Sequence, residues 1–518
     1  MVEAKRPGMI PVSLTEIAQV TYGRMLKQAT AIHDRDNTDV LVHSVVTDSR
    51  QAQDGSLFVA IPGEHVDGHD FIETAAKQGA CGALVDHIVE HVSLPQVVVN
   101  DTVKALGLLA AHNLERRRAL PTPFEVVGIT GSVGKTTTKD LLAAMLRELG
   151  PTVAPIGSFN NEIGLPLTAL RVNESTRFLV AEMGASQVGD LAYLTSIVPL
   201  DIAVELKVGV AHLGVFGSVD RIAQAKSELI TGLLPGGISV LNADDERVAA
   251  MDKLAPGRVL WFGLADGSRP QQQLDMSASN IRTDDADHPS FQLLAAGESA
   301  VDSKLNISGV HNVVNALAAA TVAHELGLST EQISQVLSDV GFVSPHRMAI
   351  SHVDVEDVEF TLIDDSFNAN PDSMKAGLTA LSTWGNAEDK TQDSTYRIAV
   401  LGGMLELGEQ TLALHRDVGA YCAQLNVDAL VAVGGRRGEL SVMAQAMVEG
   451  AQVQVGGEAG NSAALALFQA ADTDEADQIV RKLASEHPGS VVLLKGSHFS
   501  GLCNLAERWQ GKRFGVTR

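Results

Sequence analysis

At 518 residues the chain is long enough for about two to four domains of ordinary size, so a single compact core is not expected. Apolar residues make up 45% and charged residues 20%, which excludes a disordered chain and leaves ample material for buried cores. With 39 Lys plus Arg against 63 Asp plus Glu, the net charge of −24 excludes bulk binding to nucleic acid or to an anionic membrane, though a local basic pocket for a nucleotide remains open. Cys81, Cys422 and Cys503 lie far apart without paired spacing, which points away from a disulfide framework or a Cys-type zinc site and towards a reducing compartment. The N-terminus lacks the apolar core of a secretory signal, and no stretch reaches the ~18 unbroken apolar residues of a membrane span. A cytoplasmic protein without membrane insertion is expected.

The first segment, residues 1–122, contains SLFVAIPG followed by HDFIETAAKQGACGALVD, which reads as strand, loop, helix and strand: a small α/β unit. A polar helix carrying Glu115, Arg116, Arg117 and Arg118 leads to Pro121 and Pro123, the punctuation that separates domains. The second segment, residues 123–344, opens with FEVVGIT, turns through GSVGK and continues as TTTKDLLAAMLREL before Gly150, giving a strand, a glycine loop and a helix with a C-terminal stop. RFLVAEM, DIAVEL, GGISVL and RVLWFGL follow as short apolar runs between helical or polar stretches, the alternation of a mostly parallel sheet covered by helices. From about Ala265 to Asp302 the chain turns polar and acidic and reads as a surface excursion with some edge strands; the helix VHNVVNALAAATVAHELGL is expected to close this domain. After Pro345 the runs TLIDDS, RIAVLGG, DALVAVGG and SVVLLKG alternate with helices, so residues 345–518 are expected to form a second doubly wound, Rossmann-like sheet.

The sharpest chemical signal is Gly131-Ser132-Val133-Gly134-Lys135-Thr136-Thr137 between a strand and a helix. There, successive backbone N–H groups can surround phosphate oxygens, Lys135 can reach the β- and γ-phosphates, and the Thr136 hydroxyl can bind Mg²⁺, so ATP is the expected ligand. The strict spacing of such loops calls for glycine at position 129, where Ile129 stands. Glu182 ends the apolar strand RFLVAEM and can offer the oxygen ligands that Mg²⁺ prefers.

TGSVGKTT resembles the P-loop of the Mur ligases, the ATP-dependent amino-acid and dipeptide ligases of peptidoglycan precursor synthesis. Further segments resemble that family in its own order: FNNEIGLP with Asn160 and Asn161, AEMG with Glu182, Ala211-His212-Leu213, AKSE with Lys226, GVHNVVNA with His311, Asn312 and Asn315, and PHRM with Arg347. DDSFNANP, with Asp365, Asn368 and Asn370, is similar to the form found in the branch that adds D-alanyl-D-alanine to UDP-N-acetylmuramoyl-tripeptide; Lys495-Gly496-Ser497 follows. The resemblance implies three α/β domains, an acyl-phosphate mechanism, a metal contact for His212 and a Lys226 carbamylated by CO₂ to serve a second Mg²⁺. Asn160, Asn161, His311, Asn312, Asn315, Arg347 and Asp365 are then expected around ATP, with Asp365, Asn368, Asn370, Lys495 and Ser497 around the substrate. TDSR, with Ser49 and Arg50, looks like the family's UDP-sugar module. A monomer is expected.

Several positions depart from the family's usual residues: Lys207 for asparagine, Gly214 for an acidic residue, His346 for glycine, Gly403 for aspartate and His498 for arginine. The sibling that adds a diamino acid shares the P-loop and mechanism, and a P-loop alone also suits a non-catalytic nucleotide-binding module. The third residue of the tripeptide and the residue taking the amine proton are left open by the sequence.

Overall fold

A computed structural model describes residues 8–26, 40–63, 66–210, 213–266, 274–284, 286–341, 344–355, 358–384, 395–435, 438–457 and 465–511. Its strands gather mainly in sheets of five, nine and six, met in that order along the chain. No described helix is long and apolar enough to cross a membrane.

The five-stranded sheet runs Arg24–Leu26, Gln96–Val98, Ala80–Val85, Ser56–Val59, Ser44–Val46, all parallel except the first. Alternate residues of its strands serve two cores. Phe58, Ala83 and Val85 pack with Ile72 and Ala75, whereas Leu57, Val59 and Leu84 face Leu14, Ile17 and Leu106.

The arginine-rich helix, Thr102–Arg118, is less polar in its role than its sequence suggests. Leu106, Leu109, Ala110 and Leu114 are buried in a core shared with Leu179 and Leu191 of the following sheet unit. Arg117 is 1% exposed, its guanidinium donating to the carbonyl oxygens of Thr176 (2.8 Å), Thr122 (3.2 Å) and Pro123 (2.9 Å), with Phe124 stacked 4.9 Å away. The punctuation at Pro121 and Pro123 is thus bolted down rather than free. Arg117→Met orphans these carbonyls and is expected to cost about 3 kcal/mol, read as a lower denaturant midpoint; a midpoint equal to that of the parent would refute the role.

The nine-stranded sheet runs, edge to edge, Val301–Lys304, Pro289–Ala295, Met276–Thr283, Val259–Leu264, Leu233–Asn242, Leu200–Glu205, Glu125–Thr130, Phe178–Glu182 and Thr152–Val153. From Thr152–Val153 to Met276–Thr283 its pairings are parallel; the last strands add antiparallel. The acidic excursion therefore extends the central sheet. Phe291, Leu293 and Ala295 pack on the helix His311–Glu325 while Ser290 and Leu294 face out, the alternation of a half-buried antiparallel strand. That helix does not close the domain as expected: Thr330–Asp339 follows it, started by a capping box between Ser329 and Gln332.

The six-stranded sheet runs Ala349–Val355, Val358–Asp365, Val491–Lys495, Arg397–Gly402, Ala429–Val433, Ala466–Ala470, parallel except for its first strand. Insertion of the last strand, Val491–Lys495, beside the early strand Val358–Asp365 reverses the strand order, and crevices for ligands form at the carboxyl ends of strands at such points.

Candidate active site

In the nine-stranded sheet Glu125–Thr130 lies between Phe178–Glu182 and Leu200–Glu205, with Glu182 level with Ile129 and Glu205 level with Thr130. Three strand ends therefore converge where the loop 131–134 turns into the helix Lys135–Leu149. Gly134 has φ +87°, and a Cβ on it would run into Asn315 Oδ1, so a residue without a side chain is needed to bring the loop against the helix His311–Glu325. Gly134→Ala is expected to cost about 1–2 kcal/mol of stability and to weaken ATP binding; calorimetry showing unchanged affinity would refute this.

The loop is tied on every side. Ser132 N–H donates to Lys207 O (2.8 Å), and Ser132 Oγ accepts from Gly209 N–H (2.8 Å). Lys135 Nζ donates to Gly131 O (2.7 Å), and the Thr136 hydroxyl lies 2.9 Å from Ser158 Oγ. Behind them Lys139, wholly buried, fixes the facing loop through Pro155 O (3.1 Å) and Gly157 O (3.2 Å). Burial pushes the Lys135 ammonium below its ordinary range; Glu182 and Glu205 oppose that shift and Arg347 adds to it.

Two buried carboxyl groups flank the loop. Glu182 is 1% exposed; its Oε1 accepts from Asn160 Nδ2 (2.9 Å) and its Oε2 has no partner. Glu205 is fully buried, with neither oxygen hydrogen-bonded. Burial pushes its carboxyl up to about 8, opposed by Lys226 and Lys135. Lys226, on the helix Val219–Thr231 and 5% exposed, is pushed down to about 7 by burial, with Lys135 adding and Glu205 opposing.

The C-terminal domain supplies the opposite wall. Asp365 and Lys495 are level on neighbouring strands, so their side chains meet: Lys495 Nζ donates to Asp365 Oδ2 at 2.5 Å and to Asn368 O at 3.3 Å. Asn370 caps the helix Pro371–Thr383 through Ser373 N–H (2.9 Å), and its Nδ2 lies 3.5 Å from Ser132 O across the seam. Arg347 crosses the seam as well, donating to Ser158 Oγ (3.2 Å) and Thr136 Oγ1 (3.4 Å) while its guanidinium stacks 4.5 Å over Phe367. The preceding residue, His346, takes φ +60°, a conformation in which glycine is unstrained, and its Nδ1 lies 2.8 Å from Asp364 Oδ2. That explains how histidine is held where the resembling family usually has glycine.

A cavity of about 830 Å³ lies between these walls. It brings together Gly131, Ser132, Val133, Gly134, Lys135, Thr136 and Thr137 with Asn160, Asn161, Glu182 and Lys226, and from the other side His311, Asn312, Asn315, Arg347, Asp365, Asn368, Asn370 and Lys495. Asn312 and Asn315 are linked at 2.8 Å. His311 is exposed towards the cavity yet ringed by protein, and desolvation pushes its imidazole down against the pull of Asp365. Asn161 Oδ1 accepts from Gly164 N–H (2.9 Å) just before the short helix Gly164–Ala169.

Other expected site residues lie apart. Ser497 is buried, with its hydroxyl unpartnered, and does not line the cavity. Ser49 and Arg50 sit in the N-terminal domain, where Arg50 forms a two-pronged pair with Asp48 (2.9 and 2.8 Å); among the described residues none from that domain reaches the cavity wall. His212 lies outside the described residues. Glu205, Lys139 and Ser158 were not singled out from sequence, although Glu205 carries the same signal as Glu182, an acid ending an apolar strand of the P-loop sheet.

Over residues 129–323 the sequence matches the Mur ligase middle domain, over 346–498 the Mur ligase, glutamate ligase domain, and over 41–114 the Mur ligase family, catalytic domain. The chain belongs to the Mur ligase family. This Mur ligase is 38% identical over 517 residues to the UDP-N-acetylmuramoyl-tripeptide--D-alanyl-D-alanine ligase of Mycobacterium tuberculosis (strain ATCC 25618 / H37Rv), a match covering 96% of this chain and 98% of that one. It is 32% identical over 426 residues to the enzyme of that name from Escherichia coli (strain K12), covering 82% and 86%. Its fold is similar to that of MurF from Acinetobacter baumannii, with a TM-score of 0.78 at 30% identity over 98% of this chain and 100% of that one. It is also similar to MurF ligase from Thermotoga maritima in complex with ADP, with a TM-score of 0.70 at 27% identity over 90% and 97%. The three-domain α/β architecture expected from the sequence is that of these ligases.

Proposed function

We propose that this Mur ligase uses ATP to join D-alanyl-D-alanine to UDP-N-acetylmuramoyl-tripeptide, in the cytoplasm, through an acyl phosphate. One observation carries the reading: a chain 38% identical, nearly end to end, to a ligase of that name encloses a cavity with the P-loop on one wall and the DDSFNANP strand end on the other.

ATP lies along the loop 131–137, its phosphate oxygens taking the backbone N–H groups and the Lys135 ammonium, with Arg347 closing over it from the C-terminal domain. His311, Asn312, Asn315 and Asp365 serve the nucleoside side, and Asn160 orients Glu182. The Thr136 hydroxyl and the unpartnered Glu182 Oε2 are hard oxygen donors and suit Mg²⁺. When bound, Mg²⁺ offsets the repulsion between triphosphate and carboxylate. Lys226, whose proton affinity burial has lowered, is the amine at which a carbamate would form, giving a two-oxygen anion for a second Mg²⁺.

The terminal carboxylate oxygen of the tripeptide attacks the γ-phosphorus, and the bond to ADP breaks. The dipeptide amine then attacks the acyl carbon, and phosphate departs as the amide forms, with the amine giving up a proton. Lys135 and Arg347 stabilise charge on the moving phosphoryl group, and positioning supplies much of the rest. Asn368, Asn370 and Lys495 serve the incoming substrate, with Ser497 buried behind them off the cavity wall, while Ser49 and Arg50, remote from the cavity, take the UDP end.

Incubation with UDP-N-acetylmuramoyl-tripeptide, ATP and either D-alanyl-D-alanine or a diamino acid tests the reading. A product heavier by one dehydrated dipeptide is expected with the dipeptide alone; no mass increase with it would overturn the assignment.

A further inference from the structure

We infer that His346 is a positioning residue: its imidazole, fastened to the C-terminal sheet, aims the neighbouring Arg347 across the seam at the phosphate loop. The kinetic consequence rests on the proposed ATP-dependent ligase reaction; the anchoring rests on contacts made within the protein itself.

The stretch 344–348 leads into the first strand of the six-stranded sheet and is pinned to both domains. Ser344 Oγ donates to Asp140 Oδ2 (2.6 Å) on the helix Lys135–Leu149, which begins at the phosphate loop. Two residues on, the His346 imidazole grips the other domain. Its Nδ1 lies 2.8 Å from Asp364 Oδ2, and its Nε2 3.7 Å from Glu507 Oε1 on the helix Leu502–Trp509. Asp364 is itself fixed: it is buried near the end of the strand Val358–Asp365, and its Oδ1 accepts from Ser366 Oγ at 2.6 Å. The backbone repeats the tie, since His346 O accepts from Phe367 N–H (3.2 Å), and Phe367 carries the ring on which the Arg347 guanidinium stacks. His346 at φ +60° and Met348 at φ +51° bracket Arg347, and residues with side chains keep that sparsely populated conformation only where their surroundings over-determine it. Met348 is held by burial in the core with Ile363 and Met374, His346 by its ring. Arg347 needs such aiming, because a long side chain with many rotamers has to reach Ser158 Oγ and Thr136 Oγ1 on the far side of the seam. Glycine at position 346 would accept the same φ without strain but would offer Asp364 nothing to hold.

The test is a double-mutant cycle on the full chain with H346G, R347A and the double variant, read as kcat/KM for ATP. H346G keeps the backbone conformation accessible and removes only the ring; it is expected to lower this value about tenfold, with KM for the tripeptide substrate and for D-alanyl-D-alanine within about twofold. R347A is expected to lower it at least about a hundredfold, and the double variant no further than R347A, because an arginine that is gone needs no anchor. An unchanged kcat/KM in H346G would overturn the proposal, and so would an equal loss from H346G in both backgrounds, the mark of a ring that only supports the fold. A wild-type chain that forms no dipeptide product would speak against the ligase reading alone. The same cycle read as ADP affinity by calorimetry then decides the anchoring: weakening by H346G only where Arg347 is present supports it, and weakening in both backgrounds or in neither overturns it.

Discussion

Lys135→Ala is expected to lower kcat by about a hundredfold to a thousandfold while the protein keeps its fold. The side chain starts the helix Lys135–Leu149 and its amine bends back onto Gly131 O at 2.7 Å, so it faces the phosphate loop rather than the hydrophobic core formed by Leu141, Leu142 and Met145. What the substitution removes is a desolvated cation placed where negative charge moves during phosphoryl transfer. Such a group acts more strongly in the transition state than on bound ATP, so the loss should fall on kcat more than on KM. Steady-state kinetics beside far-ultraviolet circular dichroism separates the cases; turnover within twofold of the parent would refute the role of Lys135, and a lost α/β spectrum would show that it was structural.

Glu182→Gln is the second large effect. The amide oxygen can still accept from Asn160 Nδ2, as Oε1 does now at 2.9 Å, so local packing survives. The other end becomes an N–H donor in place of the buried, unpartnered Oε2, which repels a divalent cation instead of holding it. About a hundredfold loss of kcat is expected, together with loss of the extra thermal stabilisation that Mg²⁺ gives beyond ADP alone. A melting temperature that still rises with Mg²⁺ in this variant, as in the parent, would place the metal elsewhere.

Much of the architecture was legible because it rests on short-range signals. Apolar runs such as RFLVAEM and SVVLLKG become buried parallel strands, and the glycine loop between a strand and a helix can hardly fold otherwise. The meeting of Asp365 with Lys495 needed sheet order, since these residues stand far apart in sequence and become level only when the last strand inserts beside Val358–Asp365. Glu205 shows the limit more sharply. An acid at the end of an apolar run can face solvent or a metal or lie fully buried, as Glu205 does, and the choice depends on which helix covers that face of the sheet. Arg117 misled in the opposite direction: within a run of charged residues it reads as solvated, yet three backbone carbonyls at the start of the next sheet unit bury it. The acidic excursion reads from sequence as a surface segment with some edge strands, as found, but its alternation is diluted by polar residues, and only the helix beneath it reveals which side is apolar.

The claim on which the rest depends is that the γ-phosphoryl group passes to a carboxylate before any amide forms. Tripeptide substrate carrying ¹⁸O in its terminal carboxylate, turned over with ATP and D-alanyl-D-alanine, tests it by mass analysis of the released phosphate. One labelled oxygen should appear in that phosphate for each amide made, because the oxygen bridging carbon and phosphorus leaves with phosphorus; phosphate free of label alongside labelled amide product would contradict the mechanism.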